Sequence, residues 1–350
     1  GKGFSTNILE NEITHLFREQ FLESFNVAAE PGLEKLVQNR ALRHGVPEED
    51  MRPKVFKEFE GLGKYLYSFD SGTTPALKQM RHKLLMANIG SANLIIDEIG
   101  SNVIGNKEVL DAYLELYDVG AIREKLVKNT AENVRSEEII GRTPTNLMMF
   151  GTPDKLLDGS KTEEELISML ETGYARRCFF SYSRTVNKNL NMTPQEFYDR
   201  LTDRGTSQYI HDLAAKLGRL SVASNLHTVL TMSKDTALAV IEYQLNCDRL
   251  AQALPEHEGI RKAELSHRYF KALKAAGAYA FIDGSPELTM EHFENAVKLA
   301  ESSGKEFEML LSRDRPYVKL AKYLADVGID CTEPDLQEDL PFFKGSAVAR

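Results

Sequence analysis

Two adjacent carboxylates, Asp97 and Glu98, close the apolar run Ala92-Asn93-Leu94-Ile95-Ile96 and are followed by Ile99 and Gly100. A strand that delivers an acid pair at its carboxyl end places two hard oxygen donors where a phosphate and its cation can meet them. In that chemistry Asp97 organises Mg²⁺, usually through water, and Glu98 polarises the water that attacks the γ-phosphate of ATP. The same residues also read as a core strand that runs out into solvent. What surrounds the pair has to decide between the two.

The phosphate itself needs a cradle. The chain opens Gly1-Lys2-Gly3-Phe4-Ser5-Thr6. Gly-Lys beside a hydroxyl, ahead of a helix, reads as the last part of a phosphate loop, with Lys2 on the β- and γ-phosphates and Ser5 or Thr6 as the hydroxyl. Gly3 stands where that hydroxyl normally follows the lysine, and an arbitrary chain boundary would give the same residues. Apolar spacing (Ile8, Leu9, Ile13, Leu16, Phe17, Phe21, Leu22) predicts a helix over residues 7–25. A second helix is expected from about Pro31 to Gly45-Val46-Pro47, and an aromatic strand over residues 64–69. Thr74 is expected to cap a helix that begins with Pro75 and runs to Ala87. Asn88-Ile89-Gly90-Ser91 then turns the chain into the strand that ends at Asp97-Glu98.

Composition is that of an ordinary globular chain. Of 350 residues, 42% are hydrophobic and 27% charged, enough for two domains or one large core with an appendage. No stretch has the apolar length to span a bilayer and no signal peptide precedes the first polar segment, so the expected location is cytoplasmic, with no membrane partner. A net charge of −9 argues against a surface coated for duplex DNA but leaves room for a local basic loop. Cys178, Cys247 and Cys331 are far apart and read as free thiols of a reducing compartment. Eight histidines lack paired spacing, so zinc is not expected.

The order strand, Gly72-Thr73-Thr74-Pro75-Ala76-Leu77, helix, Asn88-Ile89-Gly90, strand, Asp97-Glu98 resembles the P-loop ATPase domain of phage and mobile-element primase-helicases, with Asp97-Glu98 as its Walker B element. The resemblance covers roughly residues 1–219. Gly3 departs from the family's hydroxyl residue and Ile99 from its usual residue after the acid pair. The resemblance implies an α/β fold: a P-loop ATPase core with a parallel sheet flanked by helices over 1–190, an all-α lid over 191–311, and a small winged-helix-like module over 312–350. It also implies ATP and Mg²⁺ as cofactors, single-stranded or forked DNA as partner, and a homo-oligomeric ring of six. If the chain is phage-encoded, the compartment is the host cytoplasm.

Further residues take roles within that frame. After a helix at 109–117, Arg123, Lys125 and Lys128 lie on an alternating segment that would grip the DNA backbone. Glu124, Glu132, Glu137 and Glu138 make a solvated hairpin the competing reading. A buried strand is expected at 147–150, leaving into Gly151-Thr152-Pro153. Thr152 at its carboxyl end would sense the γ-phosphate, or simply cap a turn. Arg176 and Arg177 follow a helix over 163–171 and precede an apolar strand. One of them would act as an arginine finger across a subunit interface, because adjacent side chains on extended backbone point opposite ways. From Thr193 onward helices dominate (194–204, 211–217, 222–232, 234–254, 261–276, 289–311), with Arg219 as a second sensor arginine. Two short helices, 318–327 and 332–339, close the chain. The functional expectation is an ATP-dependent DNA helicase or primase-helicase ATPase. A nucleotide-binding loader or assembly protein is the alternative.

Overall fold

A computed structural model describes residues 7–60, 63–70, 72–96, 98–99, 107–121, 141–152, 156–157, 161–182, 192–202, 204–312, 316–328, 332–340 and 343. Its main elements, in chain order, are α1 (His15–His44), α2 (Glu48–Phe59), α3 (Thr74–Ala87), β1 (Ala92–Ile96), α4 (Lys107–Val119), β2 (Thr145–Met149), α5 (Lys161–Met169), α6 (Pro194–Thr202), α7 (Arg204–Gly218), α8 (Lys234–Ala253), α9 (Gly259–Ile282), α10 (Met290–Leu311), α11 (Pro316–Val327) and α12 (Glu333–Asp339). They fall into two compact units whose segments interleave along the chain. One holds residues 1–97, 106–150 and 188–227; the other holds 98–105, 151–187 and 228–350.

The first unit is built on α1. Its buried face (Phe25, Ala29, Leu33, Val37, Ala41) packs on Val55 and Phe59 of α2 and on Met80, Leu84 and Ala87 of α3. The break expected near Pro31 does not occur, and one helix runs from His15 to Gly45, which caps it in the left-handed region at φ 64. Gly32 is the reason two helices meet so closely there. A Cβ at Gly32 would lie 2.3 Å from the carbonyl oxygen of Ala87 at the end of α3. The α3 cap is Thr73 rather than Thr74, its hydroxyl accepting from Ala76 N at 3.4 Å. Asn88, at φ 55, ends the helix as expected of the turn into β1.

β1 and β2 pair in parallel, in register from Ala92 opposite Thr145 to Ile96 opposite Met149. Phe69 adds a single parallel bridge on the other side of β1, donating to Asn93 O and accepting from Ile95 N. Asn93 fixes this register with its side chain: its Nδ2 donates to Tyr67 O at 2.6 Å, and its Oδ1 accepts from Asn146 Nδ2 at 2.9 Å. β1 alternates buried and half-buried residues. β2 does not bury as expected; among the described residues it is an edge strand, with Met148 41% exposed.

This architecture corrects the expected fold class. Helix makes up 75% of the structure and strand only 5%. A P-loop core with a parallel sheet flanked by helices is therefore not what the chain forms. The lost strands have identifiable competitors. Residues 63–66 form a 3₁₀ turn, and Tyr67 turns its ring to Phe17 and Phe21 of α1 at centroid distances of 6.3 and 6.2 Å. The apolar run after Arg177 loses its ladder to side chains. Cys178 O accepts from Lys271 Nζ at 3.0 Å, Phe180 N donates to Ser303 Oγ at 2.6 Å, and the Phe180 ring stacks on Phe307 at 4.3 Å. The helix expected over 222–232 is instead a 3₁₀ turn at Ala223–Asn225 and an isolated bridge at Thr231.

The second unit centres on α8, α9 and α10. Small residues (Ala272, Ala276, Ala296, Ala300) bring the helix backbones together around Val240, Leu288 and Phe293. Ser233 caps α8 through Thr236 N at 3.2 Å, and Thr289 with His292 forms a reciprocal capping box on α10.

Candidate functional site

Of the residues expected to act on phosphate or DNA, Gly1, Lys2, Ser5, Thr6, Asp97, Arg123, Lys125 and Lys128 lie outside the described residues. Arg219 is exposed on the 3₁₀ turn Arg219–Ser221 in the first unit. Glu98, Thr152, Arg176 and Arg177 belong to the second unit.

In sequence, Glu98 comes two residues after β1 ends at Ile96, and Thr152 three residues after β2 ends at Met149. The parallel ladder closes with Phe150 N donating to Ile96 O at 2.9 Å. Two residues further on, Thr152 Oγ1 donates to Glu98 Oε1 at 3.3 Å. That hydrogen bond joins two residues 54 positions apart in sequence. Gly151 permits the tight exit from β2: a Cβ there would lie 2.3 Å from Leu156 Cδ1 and 3.6 Å from Ile99 Cβ. Buried Ile99 anchors the residue after Glu98, while the Glu98 carboxylate is exposed. An exposed carboxylate oriented by a hydroxyl can accept a proton from water, and hard oxygen donors of this kind suit Mg²⁺. Among the described residues no group of three or more His, Cys, Asp or Glu is placed to hold a metal.

The arginine pair differs from its sequence expectation in a specific way. Residues 175–177 form a helical turn, not extended backbone, and follow a π-helical turn at Leu170–Tyr174. Gly173 inside that turn has φ 129, a conformation that suits glycine. Both guanidinium groups converge on it. A Cβ at Gly173 would lie 2.4 Å from Arg177 Nη1, and 3.3 and 3.4 Å from Arg176 Nε and Nη2. Arg177 Nη1 donates to Gly173 O at 3.1 Å. Arg176 Nε is shut from solvent and makes no hydrogen bond among the described residues.

A buried ionic network holds this turn. Glu264, Arg268 and Lys271 lie on one face of α9 at helical spacing i, i+4 and i+7. Lys271 is fully buried, with its Nζ 2.7 Å from Glu264 Oε1 and donating to Cys178 O. Arg268 Nη2 reaches Glu264 Oε2 at 2.6 Å and its Nη1 reaches Glu301 Oε2 at 2.9 Å; Tyr243 donates to Glu301 Oε1 at 2.6 Å. Burial lowers the Lys271 pKa, and the facing Glu264 carboxylate opposes that fall. Burial also works against the Arg268 charge, and hydrogen bonds and charge from Glu264 and Glu301 more than restore it. Gly304 of α10 leaves the room that the Arg268 guanidinium fills. The heptad spacing Glu264, Arg268, Lys271 is visible in the sequence and is the signal that could have revealed this network. Burial pushes the Cys178 thiol up to about 11, against the pull of Lys271 and Arg177.

A separate cleft of about 1050 Å³ lies in the same unit, with Leu166, Ile167, Leu170, Ile260 and Arg261 among its walls. Its lining includes none of Glu98, Thr152, Arg176 or Arg177. No helix among the described residues is long and apolar enough to cross a membrane. No family model, curated protein or solved structure matches the chain.

Proposed function

We propose that this chain hydrolyses ATP and serves as the ATPase module of a DNA helicase or primase-helicase in replication of the phage type. The observation that carries the reading is the hydrogen bond from Thr152 Oγ1 to Glu98 Oε1, which orients the second acid of the Asp97-Glu98 pair. Glu98 orients the attacking water and draws off its proton as the water oxygen bonds to the γ-phosphorus and the bond to ADP breaks. Thr152 sets the carboxylate direction and senses the γ-phosphate. Asp97 would hold Mg²⁺, which offsets phosphate charge when bound. Gly1, Lys2 and Ser5 or Thr6 take the remaining phosphate contacts, and Arg219 acts as the second sensor. Arg176 and Arg177 come from the neighbouring copy in a homo-oligomeric ring of six. Arg123, Lys125 and Lys128 hold the single strand.

The test is Mg²⁺-dependent ATP turnover with and without forked DNA, read together with strand separation. DNA-stimulated turnover with strand separation is expected. Turnover without stimulation and without separation overturns the helicase assignment. It would favour the second reading, a nucleotide-binding assembly or loader protein without unwinding. One surface supports that alternative: Leu238, Ile241 and Leu245 on α8 are 53%, 50% and 56% exposed at spacing i, i+3, i+7. Such a stripe suits packing on another helix.

A further inference from the structure

We propose that the cleft among α5, α9 and α10 is a docking groove for a basic amphipathic helix of a partner protein, one that presents aliphatic side chains on one face with lysine or arginine beside them. The groove is independent of the ATP reading, since its lining includes neither Glu98 nor Thr152.

Its walls are helical. α5 and the turn after it bring Leu166 and Leu170, one helical turn apart, with Ile167 beside them. α9 adds Ile260, and α10 adds Met309. Leu166 and Leu170 are buried within the protein, whereas Ile167, Ile260 and Met309 are only half-buried. These three leave aliphatic surface along a cleft of about 1050 Å³. A groove between helices with an aliphatic floor receives the apolar face of a further helix in the way packed helices receive one another.

Charge decides which helix fits. Glu163, Glu171, Glu256, Glu258 and Glu308 line the cleft, against Arg261 and Lys305. Arg261 is shared: its Nη1 bonds Glu258 Oε2, and its Nη2 lies 3.1 Å from Glu308 Oε1. One cation between two carboxylates leaves negative charge over. Glu256 pairs with Lys262 yet its side chain stays 99% exposed, and Glu171 is exposed on the turn after α5. α10 ends at the cleft with no basic residue in its last turn, so the negative end of its dipole adds to the same field. The amino end of α9 also meets the cleft, but Glu256 and Glu258 stand just ahead of it. An acidic rim over an apolar floor attracts a basic helix and rejects an acidic one. The same arginine ties α9 to α10, so the groove is formed before a partner arrives. A second copy of the chain is a poor occupant. Its exposed α8 stripe, Leu238, Ile241 and Leu245, sits among Asp235, Glu242 and Asp248, which would meet the acidic rim.

The test is fluorescence anisotropy of the full chain with a labelled leucine–lysine peptide of about 14 residues, its leucines at helical spacing. Saturable binding is expected, weakening about threefold or more between about 0.05 and 0.5 M salt as the rim is screened. Ile167→Ser should weaken it about tenfold through the lost anchor contact. Glu171→Lys should weaken it about fivefold. Glu294→Lys makes the same charge change on α10 outside the cleft lining, and affinity there should stay within about twofold. A peptide with glutamate in place of lysine should bind at least about tenfold more weakly. No saturable binding, or equal losses from Glu171→Lys and Glu294→Lys, overturns the groove. Equal affinity for the glutamate peptide overturns the basic partner. Cleft-dependent binding of octylamine without binding of the peptide overturns the helix in favour of a small amphiphilic amine. Self-association of the unaltered chain in sedimentation velocity, lost in Ile167→Ser, gives the groove to a second copy and overturns the proposal. Circular-dichroism melts check the fold of each variant, and if Ile167→Ser unfolds, the exposed Glu171→Lys site carries the comparison.

Discussion

Gly304→Ala should destabilise the second unit, against the usual direction for a glycine inside a helix. Replacing a helix-interior glycine by alanine normally gains about 1 kcal/mol. At Gly304 the added Cβ would lie 2.2 Å from Arg268 Nη2, 2.3 Å from its Cζ and 2.8 Å from Nη1. An ordinary carbon contact is about 3.5–4.0 Å, so the guanidinium has to move by more than an ångström. It cannot do so freely: Arg268 is 6% exposed and holds Glu264 through Nε and Nη2 and Glu301 through Nη1. Overpacking costs about 1–3 kcal/mol, and hydrogen bonds to charged groups are worth about 1.5–3 kcal/mol. After the gain in helix propensity, a net loss of about 2–4 kcal/mol is expected. Gly277 in α9 is the control. Its nearest neighbour would be Leu230 Cδ1 at 3.8 Å, so Gly277→Ala should be neutral or gain up to about 1 kcal/mol. Urea melts of the two variants and the unaltered chain measure the difference. A Gly304→Ala variant as stable as Gly277→Ala would refute the packing of Arg268 against α10.

Other consequences follow from the charged groups. Lys271→Met leaves Glu264 with Arg268 alone and Cys178 O without its donor, and a loss of about 3–5 kcal/mol is expected in the same melts. The unfolded chain gives up the Cys178 proton near 9.0, whereas the folded chain keeps it to about 11. The unfolded state then binds fewer protons in that window, so stability falls as pH rises through it, and Cys178→Ser should flatten that alkaline limb. Burial alone would raise the Glu58 pKa, but hydrogen bonds and charge from Arg40 and His82 win and hold it below 4.5. Its contribution is therefore present above the carboxylate range and lost as pH falls through the folded pKa. Glu58→Gln should remove that acid sensitivity, at a cost below about 1 kcal/mol because the pair is partly exposed.

Long, periodic, capped segments were the legible part of the sequence. α3, β1, α8 and α10 stand close to where periodicity places them, although the α3 cap is Thr73 rather than Thr74 and the caps Ser233 and Thr289 were not read from the sequence. Short aromatic and apolar runs were not legible, because their hydrogen bonds and rings were taken by distant side chains. Lys271 and Ser303 hold the run after Arg177, and Phe17 and Phe21 hold Tyr67. The expected P-loop core failed in part for the same reason: the runs at 64–69 and after Arg177 did not become strands, and among the described residues the sheet has two strands and a bridge. At the candidate site, the acid at the end of β1 and the threonine after β2 could be read individually. Their hydrogen bond spans 54 residues of sequence, a pairing that no local pattern encodes. The arginines were read as divergent because extended backbone was assumed, whereas Gly173 bends the chain and brings them together.

The ATPase proposal stands or falls on Glu98. The direct measurement is the Mg²⁺-dependent rate of ATP hydrolysis by Glu98→Gln against the unaltered chain under saturating ATP. Loss of a general base of this kind lowers turnover by about 10²-fold or more, and a drop of that size is the predicted result. An unchanged hydrolysis rate in Glu98→Gln would contradict the account.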